Sequence, residues 1–229
     1  DAAHEVDLEV EQEAREASAT ARVYRTPYEW TVPQALRTPQ FYILVAAYFS
    51  HLLVGVTVAS VSVTHLTELG VAAGVGAVAA GALAAKMLSL ESLMQTLARL
   101  GGGALGDRID PRWLLIFAQG MLVVGLLALA TAATPGLMLI YAVGTGVGFG
   151  LTVLAVTVLL LNYYGRESNL ELFSLTCLVG AVSAAGPFVA GAMRDRLGGF
   201  APTFQLFAAV TAVVFVAVLL MRPPRQPQA

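Results

Sequence analysis

Three side chains spaced for joint work stand inside an otherwise apolar run: Glu91, Gln95 and Arg99. At i, i+4 and i+8 they fall on one helical face, each about 6 Å beyond the last. Ser92 and Thr96 adjoin that face. An arginine there can hold a carboxylate by two parallel hydrogen bonds, because its guanidinium is a planar fork. A glutamate there can carry a proton through the membrane, the usual reason to keep an ionisable group at that depth. Arg99 has a plainer reading too, as an anchor for backbone carbonyls near a helix end. Lys86 lies about 140° round the helix from Glu91, so it offers a second cation on a different face. Its plainer reading is snorkelling to the surface. His51, with a reference pKa near 6.5, is placed to relay protons or to pack as a core residue. Tyr48 and Thr57 are candidates to line the same path. His65 and Glu68 fall near a connection and are expected to be solvated.

Such residues need elements that keep them out of lipid. The chain is 57% apolar and 12% charged, where a soluble domain has roughly 45–50% and about 25%. That balance excludes a soluble enzyme, a nucleic-acid binder and a disordered chain. The charges are also uneven. Residues 1–40 hold eight acids and four arginines, and residues 41–229 hold seven acids and nine bases. A polar acidic segment, with Glu5, Glu9, Glu13 and Glu16 on one solvated face, therefore precedes a membrane-embedded body. Cys177 stands alone, so neither a disulfide nor a cysteine metal site is expected. No cofactor is expected either. The motifs Gly-x-Ser-x-Gly and His-Glu-x-x-His are missing, as are paired intramembrane aspartates, which argues against a membrane-embedded enzyme.

A bilayer core needs roughly 20 apolar residues per helix, and six spans are expected. They run over Phe41 to Thr64, from between Val71 and Ala80 to Leu105, Trp113 to Ala132, Leu137 to Leu161, Ser168 to Met193, and Pro202 to Met221. Gly186-Pro187 should kink the fifth. The glycines 144, 146, 148 and 150 suit close helix packing or a flexible stretch. Short Pro- and Gly-punctuated connections make neighbouring spans antiparallel. Residues 1–38 form a cytoplasmic segment, 39–222 the six-helix bundle and 223–229 a cytoplasmic tail. Tyr28 to Pro39 reads as an interfacial helix whose aromatics anchor it at the membrane surface. Nine arginines fall on the side of both termini and two, Arg194 and Arg196, on the other. By the positive-inside rule both termini are cytoplasmic, in an inner or plasma membrane. Gly103-Ala-Leu-Gly-Asp-Arg108 is echoed by Gly191-Ala-Met-Arg-Asp-Arg196, at matching places in two three-helix sets. Opposite sidedness of the two copies is what an inverted 3+3 repeat predicts.

Arg99-Leu-Gly-Gly-Gly-Ala-Leu-Gly-Asp-Arg108 with Pro111-Arg112 resembles the loop motif of the major facilitator superfamily. Tyr163-Tyr-Gly-Arg166, Ala185-Gly-Pro187 with Gly191, and Asp195 with Gly198-Gly-Phe200 resemble motifs of its monocarboxylate and oxalate–formate branch. So does Trp30-Thr-Val-Pro-Gln-Ala-Leu-Arg-Thr-Pro-Gln-Phe41. Gly199 departs from the serine common there. The likeness covers residues 28–222 and maps to the carboxyl-terminal six helices.

The resemblance implies a secondary transporter of a small organic anion, working by alternating access with proton symport or exchange. Gly103, Asp107, Arg108 and Arg112 would then form a gating loop, against the alternative of a plain helix-ending turn. The partners implied are the anion, protons, the lipid bilayer and an amino-terminal six-helix half, which would complete the cavity. The chain begins with Asp rather than Met, so it is expected to be part of a longer protein. Transport of a drug or sugar, or a transporter-like sensor without flux, remain as alternatives. The fifth span has no cation before Arg194, which weakens a two-cation clamp on a dicarboxylate.

Overall fold

Proline sits in the first turn of most helices here, where a missing N–H leaves no bond unmade. The computed structural model describes residues 23–105 and 109–225. Among them the order is α1 (Val32–Ala35), α2 (Pro39–Ala72), α3 (Ala77–Leu105), α4 (Pro111–Ala130), α5 (Pro135–Tyr164), α6 (Asn169–Ala181), a 3-10 turn (Val182–Ala185), α7 (Gly186–Leu197) and α8 (Ala201–Leu220). Six of these units are long and apolar enough to cross a membrane, α6 to α7 counting as one. The chain is an all-helical bundle of antiparallel neighbours, as its loops require. The two echoed segments fall at opposite ends of it, although Gly106, Asp107 and Arg108 lie outside the described residues, as do residues 1–22.

α5 holds the bundle together, with broad interfaces to α4 and α3. Gly144, Gly146, Gly148 and Gly150 explain how. They alternate between two faces, each face carrying a small-xxx-small pair. Gly144 and Gly148 meet α4: a Cβ on Gly144 would stand 2.8 Å from the Gly125 Cα, and one on Gly148 2.7 Å from the Ala118 carbonyl. Gly146 and Gly150 meet α3, where a Cβ would run into the carbonyl oxygens of Glu91 and Gln95. Without a hydrophobic drive between helices in lipid, such backbone approach supplies the packing. The hydroxyls of Thr145 and Thr152 satisfy themselves on the Tyr141 and Gly148 carbonyls, both at 2.7 Å.

The fifth span breaks where expected. Pro187 has no N–H to continue the ladder, and the chain tightens into the 3-10 turn just before it. Gly186 at the break lies against Thr57 and Leu53 of α2.

Two expectations are corrected. The segment from Tyr28 to Pro39 is not an interfacial helix with outward anchors. Only Val32–Ala35 is helical, and Trp30 is 3% exposed. Trp30 packs edge-on against Tyr164 with ring centroids 5.5 Å apart. Aromatics that do face outward include Tyr42, Trp113, Phe117 and Phe188. A tryptophan with apolar neighbours inside the bundle end buries more surface there than at the lipid boundary. His65 is not solvated either. It is 3% exposed, its Nε2 lies 3.0 Å from the Leu129 carbonyl, and its ring meets Phe200 and Phe204. The first helix runs eight residues past Thr64, so His65 stays within its packed length. Glu68 is partly exposed and ion-paired with Arg194.

The glycine contacts predict an asymmetry. Gly146→Ala should lower stability by about 1–3 kcal/mol, the usual cost of overpacking. Gly191→Ala, with nothing within 4 Å of its added Cβ, should leave stability unchanged or slightly raised. Thermal unfolding in detergent measures both.

Candidate functional site

Glu91 is the one carboxylate buried well inside a span among the described residues, at 7% exposure. The backbone contact with Gly146 fixes the rotation of α3 at this point, and so fixes where the side chain goes. It lines a cavity of about 320 Å³ where α2, α3 and α5 meet. Gly55, Val56 and Ala59 come from α2, Leu88, Ser92 and Gln95 from α3, and Phe149 from α5. The Ser92 hydroxyl lies 3.5 Å from Glu91 Oε2. Glu91 and Gln95 therefore share the cavity, as their spacing predicts.

Phe149 is the residue that spacing did not reveal. Its ring fills the space that Gly55 leaves, since a Cβ there would enter the ring. The Arg99 guanidinium carbon stands 5.8 Å from its centroid, within reach of a cation–π contact. The His51 ring stands 4.7 Å from it. One aromatic thus joins the cavity, the arginine and the histidine. A single large side chain among four glycines was the available signal for it.

His51 itself is buried behind Phe149, with its Nδ1 2.7 Å from the Tyr48 carbonyl and its ring 4.9 Å from that of Tyr48. It does not line the cavity. The Tyr48 hydroxyl turns instead to Cys177 Sγ, 3.5 Å away. Arg99 is exposed one turn beyond Gln95, and Lys86 is exposed on a face away from the cavity lining. Two further hydroxyls, of Ser62 and Tyr141, are buried in the bundle. Tyr141 lies within interaction range of both Ser62 and Glu91.

A second polar layer lies deeper. Gln119 of α4 is fully buried and donates to the Ala47 carbonyl at 3.3 Å and to the Thr152 hydroxyl at 3.5 Å. It accepts from Ser50 at 3.2 Å. This layer ties α2, α4 and α5 and does not touch the cavity. In the connection between α3 and α4, Asp110 caps α4 by accepting the Arg112 N–H at 2.9 Å. The Arg112 side chain donates to the Leu219 carbonyl at 2.7 Å, pinning the loop to the end of α8. Gly103 lies in the last turn of α3 with open space around it. Asp107 and Arg108 lie outside the described residues.

The described residues thus form a bundle of six candidate membrane spans with one carboxylate buried beside a small, largely apolar cavity. The model of the Major Facilitator Superfamily matches residues 43–229, and the chain belongs to that family. It is a major facilitator transporter protein, embedded in a membrane. No curated protein matches the sequence, so its substrate must be argued from the site.

The two polar layers should separate by substitution. Gln119→Leu should cost about 1–3 kcal/mol for three lost inter-helix bonds and leave the apparent substrate affinity unchanged. Phe149→Ala should weaken affinity severalfold by removing the wall that carries Arg99. Uptake kinetics beside thermal unfolding distinguish them.

Proposed function

We propose that this chain is the carboxyl-terminal half of a secondary active transporter for a small organic anion such as a monocarboxylate. It works by alternating access with proton symport or anion exchange. The observation that carries this reading is one helical face. Glu91 and Gln95 open into a cavity of about 320 Å³, and Arg99 continues the same stripe one turn further on. Arg99 offers a fork to a carboxylate, and Glu91 offers a proton site about two turns away on the same face. The cavity suits a small solute, and its apolar wall of Val56, Ala59, Leu88 and Phe149 suits a short carbon chain. That same wall favours, as second reading, an amphiphilic drug-like ion. His51 would act by holding Phe149 in place, and Lys86 would serve as an outlying cation that draws anions in.

The second span supports a role for an amino-terminal six-helix half. Only 17% of its most apolar window is buried within the bundle. A helix carrying Lys86, Glu91 and Arg99 needs protein or water on that open side, and a second half would supply both. Gly103, Asp107, Arg108 and Arg112 would gate the path between the halves. Arg112 is bonded to α8, which gives the loop a fixed base from which contacts to the other half can break and re-form. Among the described residues, Arg25, Arg37, Arg112, Arg166, Arg222 and Arg225 fall at the end that carries both termini. That distribution favours a cytoplasmic placement of this end in an inner or plasma membrane.

The test is uptake of labelled lactate, pyruvate and oxalate by the whole transporter in proteoliposomes, with and without a pH gradient. Glu91→Gln should abolish gradient-driven uptake and spare exchange. Arg99→Lys should raise KM roughly tenfold, about 1.4 kcal/mol, for the loss of one charge-assisted bond. Absence of flux of every anion by folded protein contradicts the proposal.

A further inference from the structure

The second half of the fifth span is a short helix between two joints. α7 runs over Gly186–Leu197, after the 3-10 turn of Val182–Ala185 and before the pair Gly198-Gly199. At the first joint Pro187 supplies no N–H to the ladder, and Gly186 lies against Leu53 and Thr57 of α2. The Thr57 hydroxyl is buried there without a hydrogen-bond partner, so no polar bond from it holds the joint. At the second joint Gly198 has a φ of 78°, and its N–H ends the helix by donating to the Arg194 carbonyl at 2.8 Å. Open space surrounds both Gly198 and Gly199. Hinges are built from a few such residues at the ends of elements.

Between the joints α7 is thinly packed. Only Gly186 and Ala190 are buried, while Phe188 is 80% exposed and Leu197 59%. Charge fastens its far end. Arg194, in the last turn, is ion-paired with Glu68 of α2. The Arg194 guanidinium carbon also stands 5.2 Å from the ring centroid of Phe200, the residue just before α8. Phe200 is buried against His65 of α2, with ring centroids 6.1 Å apart. One arginine therefore ties α7 to its neighbours at the end of the bundle opposite both termini.

We propose that α7 is a gate segment that swings between these joints, and that the Glu68–Arg194 pair is the latch that holds it shut. In a half that moves as one rigid body this pair would never part. Two joints and two buried residues let α7 move while α2 stays in place. α2 is anchored to Gln119 of α4 through Ser50 and the Ala47 carbonyl. It carries the Gly55, Val56 and Ala59 wall of the Glu91 cavity. Gly186 bears on the same stretch of α2, so movement of α7 acts at the level of the cavity. An exposed ion pair is weak and screened by salt, which suits a contact broken and remade in each cycle.

Spin labels at Val71 and Leu197, exposed near the ends of α2 and α7, test this in the whole transporter with its cysteines replaced. The measurement is the distance distribution between the labels in nanodiscs, with no solute added. Two populations are expected. Glu68→Arg should at least double the weight of the longer one, and high salt should shift weight the same way. Glu68→Arg combined with Arg194→Glu should return the distribution to that of the unreversed pair. Labels at Val71 and Ala133, at the same end but outside α7, should keep one distance throughout. A single Val71–Leu197 distance that neither charge reversal nor salt alters overturns the proposal. So does a longer population that the exchanged pair fails to reduce, or an equal shift between Val71 and Ala133. None of these outcomes depends on which solute is transported.

Discussion

Backbone contact between α3 and α5 is the constraint on which the site depends. The Glu91 and Gln95 carbonyls press against Gly146 and Gly150 with no room for a side chain between them. The second span is otherwise poorly buried in the bundle, so this seam decides which way its polar stripe turns. Rotating α3 by one residue, about 100°, would carry Glu91 out of the cavity and toward lipid, where an ionisable group is costly. The orientation of the site is thus held by two side chains that glycine leaves out, at Gly146 and Gly150.

That seam also explains the crowding around Phe149. With glycines on both sides of it in sequence, α5 can lie close to α3 and α4 while one ring projects toward α2. There it takes the space left by Gly55 and meets His51 and Arg99. A helix packed by its backbone leaves few positions for large side chains, and the one present becomes a junction. The Gln119 layer supports the junction from behind. It fixes α2, α4 and α5 with neutral bonds, which the membrane interior tolerates better than charges.

Much of this was legible in the sequence, for identifiable reasons. The six spans, the break at Gly186-Pro187 and the shared face of Glu91 and Gln95 follow from length, proline chemistry and helical period. Such rules act within one element. The misreadings concerned contacts between elements. Trp30 has the composition of a membrane anchor, and only the position of Tyr164, more than a hundred residues away, shows it turned inward. His65 looked solvated because its packing partners, Leu129 and Phe204, belong to other spans. Helical period set Lys86 on another face from Glu91, and only the fold shows it exposed and outside the cavity lining, where a second cation had been a candidate. Asp107 and Arg108 remain known from the motif alone.

The central claim is that the Gln95 face of α3 looks into a solute path held open by the glycine seam. Its direct measurement is labelling of Gln95→Cys, with Cys177 replaced by Ser, by a charged thiol reagent in the reconstituted transporter. The account predicts that position 95 reacts from water and that the transported anion slows the reaction severalfold. A position 95 that reacts only with lipid-soluble reagents, or at a rate the anion leaves unchanged, would contradict it.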